Sequence, residues 1–282
     1  MGSGLNRGPS ATGSGAFETP ASPYFWEQGS GPGVVCLHSN ASTSSQWRSL
    51  AETLGDGFHV LAVDGIGAGK SPDWTAGATA SLAAEVEMIE GVLQRAGTPL
   101  HLVGHSYGAA VAIKTALMHP QRVRSLVLYE PTLFHLVAGD DPQTSPAEGI
   151  WHAATDAAEA VDRGDGRAGA ERFIDYWMGD GSWVAMLPNR QAGIAHATRH
   201  VRRWRDALFQ ESVPRDAIAA LDLPVLLMSG KASREAALSV ARVLAATLRR
   251  VTFASQPGLG HMGPVTHPAQ INRQIANFLS RH

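Results

Sequence analysis

Leu100-His101-Leu102-Val103-Gly104-His105-Ser106-Tyr107-Gly108-Ala109-Ala110 is the stretch whose reading decides the fold. Its first residues read as a short buried strand, and the small residues from Gly108 onward as the start of a helix. Between them lies Gly-x-Ser-x-Gly in the strand–turn–helix setting that gives this pattern meaning. A turn this sharp forces its middle residue into strained backbone and leaves no room for side chains at Gly104 and Gly108. It lifts the Ser106 hydroxyl clear of the sheet edge. It also aims the first helical amides, Tyr107 N–H among them, at negative charge developing there. The five-residue pattern alone arises by chance in a chain with 30 glycines. The flanking elements make Ser106 a candidate nucleophile rather than a residue of a structural turn.

Strand and helix signals alternate outward from this stretch. Apolar runs at 34–37, 58–64, 125–129, 225–229 and 251–254 read as strands, with a short edge strand at 23–27. Helical patterns fall at 43–54, 80–96, 234–248 and 268–280, and the helix after Ser106 runs to His119, where Pro120 stops it. In 80–96, Leu82, Val86, Ile89 and Leu93 share one face. This alternation predicts an α/β fold with a mostly parallel sheet covered by helices on both faces. Residues 133–221 interrupt it with several helical patterns and no buried strand run. An insertion at the C-terminal edge of a parallel sheet covers the site that edge creates, so 133–221 is expected to be a helical cap over a core of 21–132 and 222–282.

A serine hydroxyl needs a base, and the base needs an orienting acid. Of twelve histidines, His261 is best placed, in the glycine-rich turn Pro257-Gly258-Leu259-Gly260-His261-Met262-Gly263-Pro264 after the last strand. Two carboxylates are candidates for the acid. Glu130 stands at a strand end followed by Pro131, and Glu235 lies in the loop after 225–229. The oxyanion site requires two amides, Tyr107 N–H and one from the loop after 34–37, where Asn40 is the candidate. His38 and His105, which flank this region, read as packing or hydrogen-bonding residues.

Elsewhere the residues point to structure rather than chemistry. The turn Asp64-Gly65-Ile66-Gly67-Ala68-Gly69-Lys70-Ser71-Pro72 lacks the full spacing of a dinucleotide or phosphate loop. His196 and His200 stand four apart on an expected helix, but no third metal ligand accompanies them. Trp151, Trp177, Trp183 and Trp204 read chiefly as core, and Arg199, Arg202, Arg203 and Arg205 as a solvated helix face. A net charge of −2 over 282 residues gives no sign of a nucleic-acid or anionic-membrane partner. No apolar run is long enough to span a bilayer. Residues 1–20 lack the apolar core of a signal peptide and read as a flexible tail. The one cysteine, Cys36, falls within a strand; it reads as a buried structural thiol and suits a cytoplasmic, reducing setting.

Taken together, His38-Ser39-Asn40, Asp64-Gly65-x-Gly67-x-Gly69-x-Ser71, Gly104-His105-Ser106-Tyr107-Gly108 and Gly260-His261 resemble the α/β-hydrolase superfamily. The resemblance runs from about Tyr24 to the C-terminus and is weakest in 133–221. It implies that Ser106 is the nucleophile, His261 the base, and the amides of Asn40 and Tyr107 the oxyanion donors. No cofactor or metal is implied, and the partner is a small-molecule substrate. Ser39 departs from the usual glycine. The aspartate expected in the loop after 225–229 is missing, with Ser233 in its place. The segment Leu126-Val127-Leu128-Tyr129-Glu130-Pro131 is similar to members that draw the acid from the end of the family's sixth strand, which supports Glu130. Serine at the turn separates the chain from the haloalkane dehalogenase and epoxide hydrolase branches. The expected activity is hydrolysis of carboxylic esters of small to medium acyl or aromatic compounds through an acyl-enzyme. The alternatives are carbon–carbon bond hydrolysis of a β-diketone-like substrate, and ligand binding on the same scaffold.

Overall fold

Seven strands line up in a single sheet: β1 (Phe25–Gln28), β2 (Gly33–Leu37), β3 (His59–Val63), β4 (Leu100–His105), β5 (Val123–Tyr129), β6 (Val225–Gly230) and β7 (Val251–Gln256). In this computed structural model, which describes residues 22–75, 77, 79–211 and 213–282, they lie in the order β1-β3-β2-β4-β5-β6-β7. β1 pairs antiparallel with β3; every other pair is parallel. The tail expected over 1–20 lies outside the described residues.

Every residue of β2, β4 and β6 is buried, as a parallel sheet covered on both faces requires. Alternation with period two divides the side chains. Val35, Leu37, Leu102 and Leu128 face one layer with Leu82, Val86, Ile89 and Leu93. Val34, Cys36, Val103 and Val127 face the other with Trp47, Leu50, Ile271 and Ile275. Each of these large apolar side chains contributes about 1.5–3 kcal/mol by leaving water. Cys36 is fully buried in the second layer, and burial pushes its thiol far above the ordinary range.

Two helix boundaries differ from the sequence reading. The pattern over 80–96 is two helices, Leu82–Met88 and Glu90–Ala96, joined at Ile89 (φ −85°, ψ 3°). The apolar face continues across the joint, so periodicity alone does not register it. His196 and His200 do not share a helix: one helix is Pro188–Thr198, and His200 precedes the next, Val201–Phe209. The Thr198 hydroxyl donates back to the Ile194 carbonyl (2.7 Å), a contact that competes with the last helical turn. Among the described residues no group of three or more His, Cys, Asp or Glu side chains could hold a metal.

Between β5 and β6 the described residues form helices and no strand: His135–Ala138, Glu148–Asp162, Gly166–Met178, Pro188–Thr198, Val201–Phe209 and Arg215–Ala219. No helix of the described residues is long and apolar enough to cross a membrane. The glycine-rich turn after β3 winds around an anion of its own. The Asp64 carboxylate accepts the amides of Ser44 (2.6 Å) and Lys70 (2.9 Å). A Cβ at Gly69 would fall 2.0 Å from that carboxylate. The cradle a phosphate would need is already filled.

Candidate active site

Among the described residues only three that are not glycine have a left-handed backbone: Ala41 (φ 56°), Ser106 (φ 57°) and Glu130 (φ 45°). Each costs about 1–3 kcal/mol, and such strain concentrates at functional sites. All three lie at the C-terminal ends of neighbouring strands, after β2, β4 and β5.

Ser106 sits between β4 and helix Tyr107–Met118, with ψ −117°. Its N–H donates to the Tyr129 carbonyl (2.9 Å), tying the turn to β5. The flanking glycines are forced by space. A Cβ at Gly104 would lie 2.5 Å from the Cα of Ala109, and one at Gly108 would lie 2.4 Å from the Leu37 carbonyl oxygen. Because Gly108 packs against the end of β2, the loop carrying Ser39 and Asn40 is brought beside the start of the helix.

His261 and Glu130 meet Ser106 there. His261 Nε2 is 2.9 Å from Ser106 Oγ, and His261 Nδ1 is 2.7 Å from Glu130 Oε2. Glu130 is completely buried and His261 is 3% exposed. The second carboxylate oxygen of Glu130 accepts the Gly230 amide (2.7 Å), the Ser229 hydroxyl (3.1 Å) and the Ser233 hydroxyl. Burial pushes the Glu130 carboxyl up, but His261, the Ser233 hydroxyl and the Gly230 amide outweigh it and hold it below the ordinary carboxylate range. Ser233, which stands where an aspartate would be expected, thus serves as a donor to the carboxylate supplied by β5. Glu235 is elsewhere, in the first turn of helix Glu235–Thr247, bound to Arg242 and to the Ser239 hydroxyl (2.8 Å).

The turn carrying His261 is held by two successive carbonyls. The Tyr129 hydroxyl donates to Gly260 (2.8 Å) and His105 Nε2–H donates to His261 (2.8 Å). His105 Nδ1 accepts from the Gln46 side-chain amide (3.1 Å). Gln46 Oε1 in turn accepts the Ser39 amide (3.3 Å) and the Ser39 hydroxyl (3.2 Å). A backbone N–H at one end and a backbone carbonyl at the other set the direction of every link. His105 is therefore the neutral Nε2–H tautomer, and burial, with the neighbouring His261 adding to it, holds its pKa well below the ordinary value. The chain Ser39–Gln46–His105–His261 joins the Asn40 loop to the His261 loop beneath Ser106. His38 is likewise structural: Nδ1–H donates to the Ser39 carbonyl (2.7 Å) and Nε2 accepts the Gly65 amide (3.0 Å).

Among the described residues, two cavities reach Ser106. One, of about 580 Å³, is walled by Asn40, Phe173, Trp177, Met186 and Ile194 among others, and also reaches His261. The other, of about 20 Å³, lies between Phe134, Trp204, Phe209, Thr132 and Arg205, and shares Asn40, Phe173 and Trp177. Trp183 and Trp204 are core as read, Trp204 also lining the smaller cavity. Two sequence expectations are corrected here. Trp177 is only partly buried and walls both cavities. Arg205 is not on a solvated face: its guanidinium turns inward over the Trp151 ring and donates to Thr155 (3.2 Å) and to its neighbour Asp206 (2.8 Å). Arg199 and Arg202 are at the surface as read, paired with Asp73 and Asp162. Gln46, Tyr129, Ser229 and Ser233 were not singled out as supports of the site. Ser233 carried a signal, since it occupies the position of a missing acid.

The sequence matches the alpha/beta hydrolase family over residues 34–274. A 2-hydroxymuconate semialdehyde hydrolase of Pseudomonas sp. strain CF600 is 26% identical over 261 residues, covering 92% of this chain and 87% of the relative. A pimeloyl-acyl-carrier-protein methyl ester esterase of Aeromonas hydrophila is 27% identical over 206 residues, covering 71% of this chain and 69% of the relative. Among solved structures, a thermophilic esterase of Thermogutta terrifontis superposes with a TM-score of 0.74 at 22% identity, over 92% of this chain and 93% of that one. At that identity the likeness speaks for the fold. With the sheet order, the strained serine turn and the family match together, the chain belongs to the alpha/beta hydrolase family and is a hydrolase.

Proposed function

We propose that the protein hydrolyses carboxylic esters of small to medium acyl or aromatic compounds through an acyl-enzyme on Ser106. The observation that carries this reading is the unbroken Ser106–His261–Glu130 hydrogen-bond chain at 2.9 and 2.7 Å. His261 Nε2 takes the Ser106 proton as Oγ attacks the ester carbonyl. The amides of Asn40 and Tyr107 receive the developing oxyanion. The alcohol leaves with the proton from His261. Water, deprotonated by the same nitrogen, then releases the acid and frees Ser106. Glu130 holds the imidazole in the Nδ1–H tautomer and faces the positive charge that forms on it. Residues 133–221 act as a cap over a core of 21–132 and 222–282, and supply the apolar walls that receive the substrate.

The test is turnover of p-nitrophenyl esters of increasing acyl length. The expected result is ester hydrolysis that falls about a million-fold in Ser106→Ala. The similarity to a 2-hydroxymuconate semialdehyde hydrolase supports a second reading, carbon–carbon bond hydrolysis. Efficient cleavage of a β-diketone-like substrate with little ester turnover would favour it.

A further inference from the structure

We propose that Trp177, on helix Gly166–Met178, is a positioning residue for His261: its indole covers one face of the imidazole and stabilises the imidazolium formed while Ser106 attacks. The proposal rests on the reading of His261 as the base. The two rings are stacked, with centroids 3.8 Å apart and planes 21° from parallel. Both nitrogens of the imidazole are engaged in its plane, by Ser106 and Glu130. Trp177 takes the direction those bonds leave free. The indole is itself braced, stacked with Phe134 (6.5 Å, 19°) and set edge-on to Tyr176 (4.9 Å, 80°).

The face of an indole carries negative electrostatic potential and attracts a cation more than a neutral ring. The contact is therefore stronger in the transition state, where His261 is charged, than in the ground state, and only such differential contacts speed the chemical step. The other groups around the imidazole are accounted for. Glu130 faces Nδ1. His105, at the end of β4, is 5.3 Å away between ring centroids, and its Nε2–H is spent on the His261 carbonyl. Arg234 lines a groove behind the base together with Ser233, its guanidinium over the Tyr176 ring and bound to the Tyr176 carbonyl. Trp177 thus joins the segment between β5 and β6 directly to the reacting groups. A tryptophan that was only a cavity wall would act on substrate binding and leave the base untouched.

The experiment compares the full-length parent with Trp177→Phe, Trp177→Leu and Trp177→Met, using p-nitrophenyl acetate from pH 5 to 9. Active sites are counted with a fluorophosphonate probe, so rates refer to folded, competent protein. In the Leu and Met variants kcat should fall about 3- to 30-fold, and the acid limb of kcat/KM should move to lower pH by about half a unit to one unit. Trp177→Phe, which keeps a stacked but smaller ring, should lose less kcat and move the acid limb less than the Leu and Met variants. A KM change with kcat and the acid limb unmoved in the Leu and Met variants would overturn the proposal, and so would a limb that moves to higher pH. A parent that turns over ester without labelling at Ser106 would overturn the serine-hydrolase reading itself, a failure recognisable before any Trp177 variant is measured.

Discussion

Glu130 and Glu85 are both buried glutamates close to the same sheet edge, and their carboxyls are pushed in opposite directions. Glu130 is wholly buried and Glu85 is 3% exposed. Glu130 receives an imidazole, a backbone amide and two serine hydroxyls, and its carboxyl is held below the ordinary range. Glu85, on helix Leu82–Met88 beside the turn after β3, accepts the Ile66 amide (3.0 Å). Burial dominates there and pushes its carboxyl up to about 7. Similar burial thus accompanies a lowered carboxyl in one place and a raised one in the other. The partners decide the direction.

Glu130→Gln attacks the contrast where the effect is largest. The shape is preserved, but the charge is lost and the imidazole tautomer is no longer enforced. kcat on a p-nitrophenyl ester should fall about 10⁴-fold with the fold intact by circular dichroism. A variant retaining a tenth of parental activity would show that the carboxylate charge is dispensable.

Glu85→Gln probes the other side through stability. A carboxyl raised in the folded state from 4.5 to about 7 contributes fully below pH 4.5. That contribution is lost as pH rises towards 7, because the folded state then binds a proton the unfolded state has released. The loss is about 3 kcal/mol over this window. Between pH 5 and 7.5 the parent should lose thermal stability that Glu85→Gln keeps, as measured by scanning fluorimetry. Parallel melting curves for the two would show that the Glu85 carboxyl is ionised in both states.

Gln46→Leu and His105→Phe interrupt the link from Ser39 to the His261 carbonyl. Each should lower kcat about tenfold, near 1–2 kcal/mol for a buried hydrogen bond left half-made. Unchanged kcat in both would mean that the His261 turn is held by Tyr129 alone. Ser233→Ala removes one donor from Glu130 and should have the smallest effect, a few-fold loss in kcat/KM and about 1 kcal/mol of stability. A neutral result would place the burden of holding Glu130 on Ser229 and the Gly230 amide.

The sheet edge was far more legible in the sequence than the helices beside it, and the reason is geometric. At the edge each residue is fixed by its strand and its turn. Gly104 and Gly108 have no space for a side chain, and Glu130 directly follows a strand whose register with β4 and β6 is set by burial. Ser106, His261 and Glu130 could therefore be singled out although Ser106 and His261 are 155 positions apart. Which of Glu130 and Glu235 lies against His261 is visible only in coordinates, where Glu130 is 2.7 Å from Nδ1 and Glu235 is turned to Arg242. In 133–221, helical periodicity says which face is inward but not which distant ring it meets. That is why Trp177, Trp204 and Arg205 read as ordinary core or surface yet line the cavities. The break at Ile89 escaped for a related reason: one residue's ψ changes while the apolar face runs on.

The most direct measurement is to treat the protein with a fluorophosphonate ester, digest it and locate the adduct by mass spectrometry, in the parent and in Ser106→Ala and His261→Ala. A triad at these positions predicts one stoichiometric adduct on Ser106, absent from Ser106→Ala and formed at least 10³-fold more slowly in His261→Ala, on the order expected for loss of the base. An adduct on another residue, or undiminished labelling of Ser106→Ala, would contradict it.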